Sequence, residues 1–130
     1  MRVYLYTGGE KANAVRRLAI GTAGMRQPTL VARFGAVNGR DPLSPWEGVL
    51  PIEVVRVRLP GLGLPLSHTP ADEVAVEAAM AVLAQIIASG DYCLVILDGI
   101  HEAVSCNLLQ AGVLRRLAAS SSERTRIAMT

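Results

Sequence analysis

Short apolar runs alternate with stretches in which an apolar residue recurs every three or four positions. The runs predict β-strands, and the stretches predict α-helices. The predicted strands cover residues 2–6, Thr29–Phe34, Ile52–Val57, Tyr92–Leu97 and Arg126–Thr130, and the predicted helices cover residues 12–24, 70–88 and 105–119. Strands that alternate with helices are typical of an α/β fold with three layers, in which helices cover both faces of a mostly parallel sheet.

The same pattern separates buried segments from exposed ones. Tyr92–Leu97 is continuously apolar, which predicts a strand covered on both faces, whereas Ile52–Val57 alternates and is expected to be partly exposed. The helix that begins at Pro70 has a threonine cap before it and an acid in its first turn. Residues 35–51 and 60–68 are interrupted by glycine and proline, so they are expected to form loops.

Length and composition indicate a globular chain. The 130 residues are enough for a single domain over residues 1–130, and 51% of them are hydrophobic while 18% are charged. The net charge is +2, the basic residues are scattered, and only 4% of the residues are aromatic. The chain lacks the concentrated positive charge and the stacking rings of a nucleic-acid-binding surface, so no nucleic-acid partner is expected.

Cysteine usage and hydropathy bear on the compartment. Cys93 lies within an apolar run and Cys106 lies near a predicted helix start, and this pair suggests neither a disulfide framework nor a zinc site. The sequence shows no secretory signal. It also has no apolar run of about 18 residues, the length that a membrane span needs. A cytoplasmic protein without a membrane partner is therefore expected.

The loop between the first predicted strand and the first predicted helix has the frame of a phosphate-binding loop. Gly8 and Gly9 would let the backbone approach a phosphate, and the N-terminus of the helix would point free N–H groups at the anion. A working loop also ends in a lysine and then a serine or threonine, which supply charge and a magnesium ligand. Asn13 and Ala14 replace these residues, and Lys11 lies two positions too early. A plain strand–turn–helix connection is the alternative.

A second chemical signal lies at the end of the fourth predicted strand. The apolar residues Leu94–Leu97 are followed by Asp98, the pattern of a Walker B strand whose aspartate holds magnesium or its water ligands. Asp98 is therefore the candidate metal residue, and the first and fourth strands are expected to be central and close to each other. His101 and Glu102 lie nearby, but their spacing from Asp98 matches no strong metal-binding pattern.

Together these segments resemble the bacterial ATP:corrinoid adenosyltransferases, a family of P-loop proteins. Residues 6–15, Tyr-Thr-Gly-Gly-Glu-Lys-Ala-Asn-Ala-Val, stand without a change of length where the family has Tyr-Thr-Gly-x-Gly-Lys-Gly-Lys-Thr-Thr. Arg33–Phe34 stands where the second strand of the family ends in Gln-Phe. Tyr92–Gly99 stands where a later strand of the family reads Tyr-Asp-Leu-Val-Val-Leu-Asp-Glu. Ala128–Thr130 is similar to the strand that leads to Leu-Thr-Gly-Arg, beyond which the family continues.

The resemblance implies a P-loop NTPase-like fold, a homo-oligomer, and transfer of the 5′-deoxyadenosyl group of ATP to a reduced corrinoid. ATP, Mg²⁺ or Mn²⁺, and the corrinoid would be the bound partners. No catalytic side chain is assigned, because the reduced cobalt is itself the nucleophile and the protein aligns C5′ of ATP with it. The residues at the nucleotide-binding positions are Thr7, Gly8, Gly9, Lys11, Asn13 and Ala14, and Asp98 is at the metal position.

The departures from the family fall on its chemistry. The lysine and threonine of the phosphate loop are Asn13 and Ala14, a loop glycine is Glu10, and the acid after the strand aspartate is Gly99. Glu10 would set a negative charge where phosphate binds. Two alternatives to an active transferase therefore stay open. One is a non-catalytic relative that keeps the fold as a binding or assembly module, and the other is an unrelated small α/β binding protein.

Overall fold

The computed structural model describes residues 3–5, 11–34, 41–57, 70–105, 111–119 and 124–130. The strands are β1 (Val3–Leu5), β2 (Thr29–Phe34), β3 (Ile52–Val57), β4 (Leu94–Asp98) and β5 (Arg126–Met129). The helices are α1 (Lys11–Gly24), α2 (Pro70–Ser89), α3 (Ile100–Ser105) and α4 (Ala111–Ala119), and a 3₁₀ turn spans Ser44–Trp46. Within these residues, no helix has the length and hydropathy needed to span a membrane.

The strands form one sheet in the order β1-β5-β4-β2-β3, and every neighbouring pair is parallel. The predicted α/β fold with a parallel sheet is thus confirmed. β5 separates β1 from β4, so these two strands are near neighbours, but β1 lies at one end of the described sheet and is not central. Strand order depends on how the connecting helices pack against the sheet, which the apolar content of one strand does not reveal.

Two apolar cores, one on each face of the sheet, create three layers. Successive side chains of a strand point to opposite faces, so Leu30 joins one core and Val31 the other. On the first face, called the α1 face, α1 packs over the sheet, and its core contains Val15, Ala19, Ala23, Val31, Leu43, Ile52, Leu94, Ile96 and Ala128. On the second face, called the α2 face, the helices contribute Val76, Met80, Leu83, Ile87, Ile100 and Leu117.

Burial along two strands agrees with their sequence patterns. The four residues Leu94–Leu97 of β4 are fully buried, as expected for a continuously apolar strand with a helical layer on each face. β3 is the outer strand next to β2, and Glu53, Val55 and Arg56 are exposed along it. The backbone N–H of Val54 donates to the carboxylate of Glu47 at 3.1 Å, so a side chain covers part of this open edge.

The prediction of one helix over residues 105–119 is wrong at its start. Helical structure begins at Ile100, and α4 begins at Ala111, while residues 106–110 lie outside the described part of the chain. Gly99 allows the early start, because its φ of +83° turns the chain directly from β4 into α3. Ile100 is fully buried in the α2-face core, and this apolar contact anchors the short helix to the sheet.

Tyr92, just before β4, is tied to β3 through its hydroxyl, which donates a hydrogen bond to the carboxylate of Glu53. This bond, together with partial burial, raises the pKa of Tyr92 to about 12. The protonated phenol therefore stabilises the folded state below its ordinary pKa of about 10. That contribution is lost as the pH rises through the folded value.

We expect wild-type stability to fall between pH 10 and about pH 12 more steeply than that of Tyr92→Phe, which has no ionisable phenol at this position. Urea unfolding at a series of pH values measures the difference. Glu53→Gln is the control, since it removes the hydrogen-bonded carboxylate and should return the tyrosinate absorbance of Tyr92 towards its ordinary titration range. An unchanged titration in Glu53→Gln would contradict this explanation.

Candidate functional site

Three polar side chains meet at the carboxyl edge of the sheet, on the α1 face. Arg33 lies near the end of β2, Asp98 ends β4, and Thr130 directly follows β5. Arg33 and Asp98 are partners in the β2–β4 register, so their side chains leave the sheet next to each other. The alternation that puts Val31 and Ile96 into the α1-face core also puts these side chains on that face. Parallel α/β sheets bind their ligands at this edge.

Arg33 is the centre of this group. Its Nε and Nη2 donate to the two oxygens of Asp41, with 3.0 Å between Nη2 and Oδ1. Its Nη1 donates to Oδ2 of Asp98 at 2.5 Å. One planar guanidinium therefore binds two carboxylates, the first through a pair of parallel hydrogen bonds. The group is withdrawn from solvent, because the side chains of Arg33, Asp41 and Asp98 are 13%, 3% and 25% exposed.

Asp41 reaches the group from outside the strands. It precedes the 3₁₀ turn, and its Oδ1 also accepts the backbone N–H of Leu43 at 2.9 Å. Leu43 is fully buried in the α1-face core, so apolar packing fixes the segment that carries the carboxylate. Nη2 of Arg56 on β3 lies 3.8 Å from Oδ2 of Asp41. We call Arg33, Asp41, Arg56, Asp98 and Thr130 the carboxyl-edge cluster. Its side chains carry two positive and two negative charges.

Electrostatics keep Arg33 and Asp41 ionised. Burial alone would raise the pKa of Asp41, but hydrogen bonds from Arg33 and Leu43 and the positive charges of Arg33 and Arg56 outweigh it and hold the pKa below the ordinary range. Burial alone would lower the pKa of Arg33, but its contacts with Asp41 and Asp98 raise it instead. Neither group exchanges a proton near neutral pH, so both are suited to positioning and not to proton transfer.

Thr130 connects the end of β5 to the turn that follows β4. Its hydroxyl donates to Oδ1 of Asp98 at 2.6 Å and accepts the backbone N–H of Gly99 at 2.9 Å. Its carbonyl oxygen accepts the backbone N–H of His101 at 3.0 Å. Thr130 is 1% exposed. This buried threonine therefore orients the Asp98 carboxylate and the first residues of α3 together.

The predicted nucleotide-binding residues are only partly described. Thr7, Gly8 and Gly9 lie outside the described residues, and Lys11 begins α1. Asn13 is exposed and Ala14 is half-buried in the first turns of that helix. β1 and β4 are both parallel to β5, so the end of β1 and Asp98 lie at the same edge of the sheet. Among the described residues, the Asp98 side chain accepts hydrogen bonds from Arg33 and Thr130.

Sequence reasoning predicted Asp98 as a site residue and missed the other four members of the cluster, Arg33, Asp41, Arg56 and Thr130. The sequence carries one hint, an arginine near the end of the otherwise apolar strand Thr29–Phe34, since a charge in such a strand needs a partner. Nothing in the spacing points to Asp41, which lies within the segment 35–51 that the sequence predicts as a loop, or to Thr130, which follows another strand. Their contact with Arg33 and Asp98 results from strand register and from the burial of Leu43.

The described geometry does not fit a metal ion bound directly to Asp98. Nη1 of Arg33 lies 2.5 Å from Oδ2 of Asp98, and its positive charge would repel a divalent ion bound to the same carboxylate. Across the ranges that the structure describes, no three His, Cys, Asp or Glu residues are grouped in a way that could hold a metal ion. The metal role of Asp98, directly or through a bound water, stays a prediction.

Comparison of the sequence with protein-family models and with curated proteins finds no match. The resemblance to the adenosyltransferases therefore stays a prediction that depends on the motifs alone.

Proposed function

We propose that the protein is a non-catalytic relative of the P-loop corrinoid adenosyltransferases, which keeps the fold as a binding or assembly module. The observation that carries this proposal is the state of Asp98. Its two oxygens are held by Arg33 at 2.5 Å and by Thr130 at 2.6 Å, so the residue in the Walker B position serves as a structural ion-pair partner. A metal-dependent transferase needs this carboxylate, or a water bound to it, at the metal.

The phosphate loop supports the same proposal. Asn13 and Ala14 replace the lysine and the hydroxyl that would bind phosphate and magnesium. The loss of one charge-assisted contact weakens binding by about 1.5–3 kcal/mol, or about 10–150-fold in affinity. Adenine nucleotides would therefore bind weakly or not at all.

The turn after β4 adds a third argument. A Cβ atom on Gly99 would lie 2.6 Å from the carbonyl oxygen of Phe34, and the φ of this residue is +83°. The family has glutamate at the corresponding position. This backbone has no space for that side chain, so a second acid cannot stand beside Asp98 without rearrangement of the β2 and β4 ends.

The second candidate function is the active transferase, which would move the 5′-deoxyadenosyl group of ATP to a reduced corrinoid. The arrangement of the sheet favours it, because the end of β1 and Asp98 lie at the same edge with one strand between them. In this case Arg33 would have to release Asp98 when ATP and the metal bind. Lys11 would supply the positive charge of the loop.

Calorimetric titration distinguishes the two functions. For the non-catalytic module, we expect no binding of ATP at millimolar concentration, with or without Mg²⁺ and a corrinoid. Micromolar affinity for MgATP, or formation of an adenosylated corrinoid, would contradict the proposal and favour the transferase. The double variant Asn13→Lys/Ala14→Thr tests the loop itself. If the loop retains a phosphate-binding backbone, the variant should bind MgATP at millimolar concentration, where wild type shows no binding.

A further inference from the structure

We propose that the guanidinium of Arg33 takes the place of a divalent cation between Asp41 and Asp98, so that the carboxyl-edge cluster is complete without a metal and excludes one. This inference goes beyond the proposed function, because it concerns the charge at the cluster whatever ligand or partner the protein binds. The ion pair with Arg33 also gives Asp98, the aspartate in the Walker B position, a role that needs no metal.

The ligands around Arg33 are of the kind that Mg²⁺ and Mn²⁺ prefer. Both oxygens of Asp41 and one oxygen of Asp98 are directed at the guanidinium, and the hydroxyl of Thr130 lies next to the other oxygen of Asp98. Carboxylates and hydroxyls are hard oxygen ligands. Two carboxylates from different segments of the chain thus converge on one cation, which in this protein is covalently part of β2.

The charge balance explains why a free metal ion would be excluded. Among the described side chains, the two carboxylates of the cluster face two guanidinium groups, that of Arg33 and that of Arg56, whose Nη2 is 3.8 Å from Oδ2 of Asp41. A divalent ion at Asp98 would come close to the Arg33 guanidinium, which is 2.5 Å from the same carboxylate. Like charges at such a distance repel strongly in a site withdrawn from solvent. The guanidinium of Arg33 stays protonated in the neutral range, so its positive charge remains beside Asp98.

The proposal predicts that removal of the guanidinium creates a metal site. In Arg33→Met, Asp41 and Asp98 lose their shared cation, and the two carboxylates should then bind Mn²⁺. We would titrate wild type and Arg33→Met with Mn²⁺ and follow the electron paramagnetic resonance signal of the free ion. Wild type should show no binding at millimolar Mn²⁺. Arg33→Met should bind Mn²⁺ with a dissociation constant at least about tenfold below the highest concentration at which wild type shows none, a difference of about 1.4 kcal/mol.

Two control variants make the test specific. Arg56→Met removes the other arginine near Asp41 but leaves the guanidinium that bridges the two carboxylates, so it should bind no Mn²⁺. Arg33→Lys keeps a positive charge at the position and should also exclude the ion. Asp98→Asn added to Arg33→Met should abolish the binding that the single variant gained. Because every titration uses the metal alone, its outcome is independent of whether the protein binds ATP.

The outcomes decide the proposal in either direction. Binding of Mn²⁺ by wild type that Asp98→Asn abolishes would overturn it, and so would a folded Arg33→Met that binds no better than wild type. If Arg33→Met is unfolded in metal-free buffer, the titration is followed by far-ultraviolet circular dichroism. Folding of this variant on addition of Mn²⁺ would support the proposal, and a chain that stays unfolded at millimolar Mn²⁺ would overturn it.

Discussion

Replacement of Gly99 by alanine is expected to destabilise the protein by about 2–5 kcal/mol. Two physical effects combine at this position. The φ of +83° lies in the left-handed region, which costs a residue with a Cβ atom about 1–2 kcal/mol. The new methyl group would also lie 2.6 Å from the backbone carbonyl oxygen of Phe34, and overpacking of this kind costs about 1–3 kcal/mol. Equilibrium unfolding in urea measures the loss.

Gly48→Ala is the matched control for this substitution. Gly48 has the same φ of +83°, but a Cβ atom there meets nothing within 4 Å. Only the backbone conformation is penalised, so we expect a loss of about 1–2 kcal/mol. The difference between the stability losses of Gly99→Ala and Gly48→Ala measures the energetic cost of the contact between a Cβ atom in the turn after β4 and the end of β2. Equal losses would show that the Phe34 carbonyl moves aside at little cost, and the argument that this turn has no space for a second acid would then fail.

Asp41→Asn is expected to destabilise the protein by about 1.5–3 kcal/mol, the range for hydrogen bonds to a charged group, because Arg33 keeps Asp98 as a counter-ion. Asn keeps the shape and can still accept the Leu43 N–H, but its amide group would point N–H donors at those of Arg33. The side chain of Asp41 is only 3% exposed, so water cannot replace the lost carboxylate. Urea unfolding near neutral pH gives the value.

Asp91→Asn is the control, because it makes the same chemical change at an exposed aspartate. Its effect should stay within about 0.5 kcal/mol. If Asp41→Asn lowers the free energy of unfolding by no more than Asp91→Asn does, the Arg33–Asp41 pair contributes little to stability. The carboxyl-edge cluster would then behave energetically like an exposed ion pair.

The pH dependence of Asp41→Asn follows from the pKa of the wild-type carboxyl group. Because the folded pKa of Asp41 lies below its ordinary value of about 3.9, its contribution to stability is fully present above that value. The contribution is lost as the pH falls through the folded pKa. The stability difference between wild type and variant should therefore be constant from neutral pH down to about pH 5 and shrink below it. A difference that grows in acid would contradict the assignment.

Much of the fold follows from local patterns in the sequence. The continuous apolar run before Asp98 predicts a fully buried strand, and the alternation in Ile52–Val57 predicts a partly exposed one; both predictions are confirmed. Thr69 and Pro70 predict a helix start, and α2 begins at Pro70. Such predictions succeed because the period of the apolar residues and the chemistry of a helix cap act over a few neighbouring residues.

Other features required long-range information. The short helix Ile100–Ser105 was missed, because its stability comes from the burial of Ile100 against the sheet and from the turn at Gly99. The position of β1 at one end of the described sheet could not be predicted either, since strand order depends on helices that pack between distant segments.

The candidate site shows the same division in its chemistry. The sequence alone shows that an aspartate ends an apolar strand. It also shows that the predicted phosphate loop lacks the lysine and the hydroxyl of a working one, because each of these properties belongs to a single position. The partners of that aspartate are a matter of tertiary structure: strand register brings Arg33 beside Asp98, and a buried leucine brings Asp41 to the same guanidinium. Charges interact through space, so their effect depends on distances that only the folded chain sets.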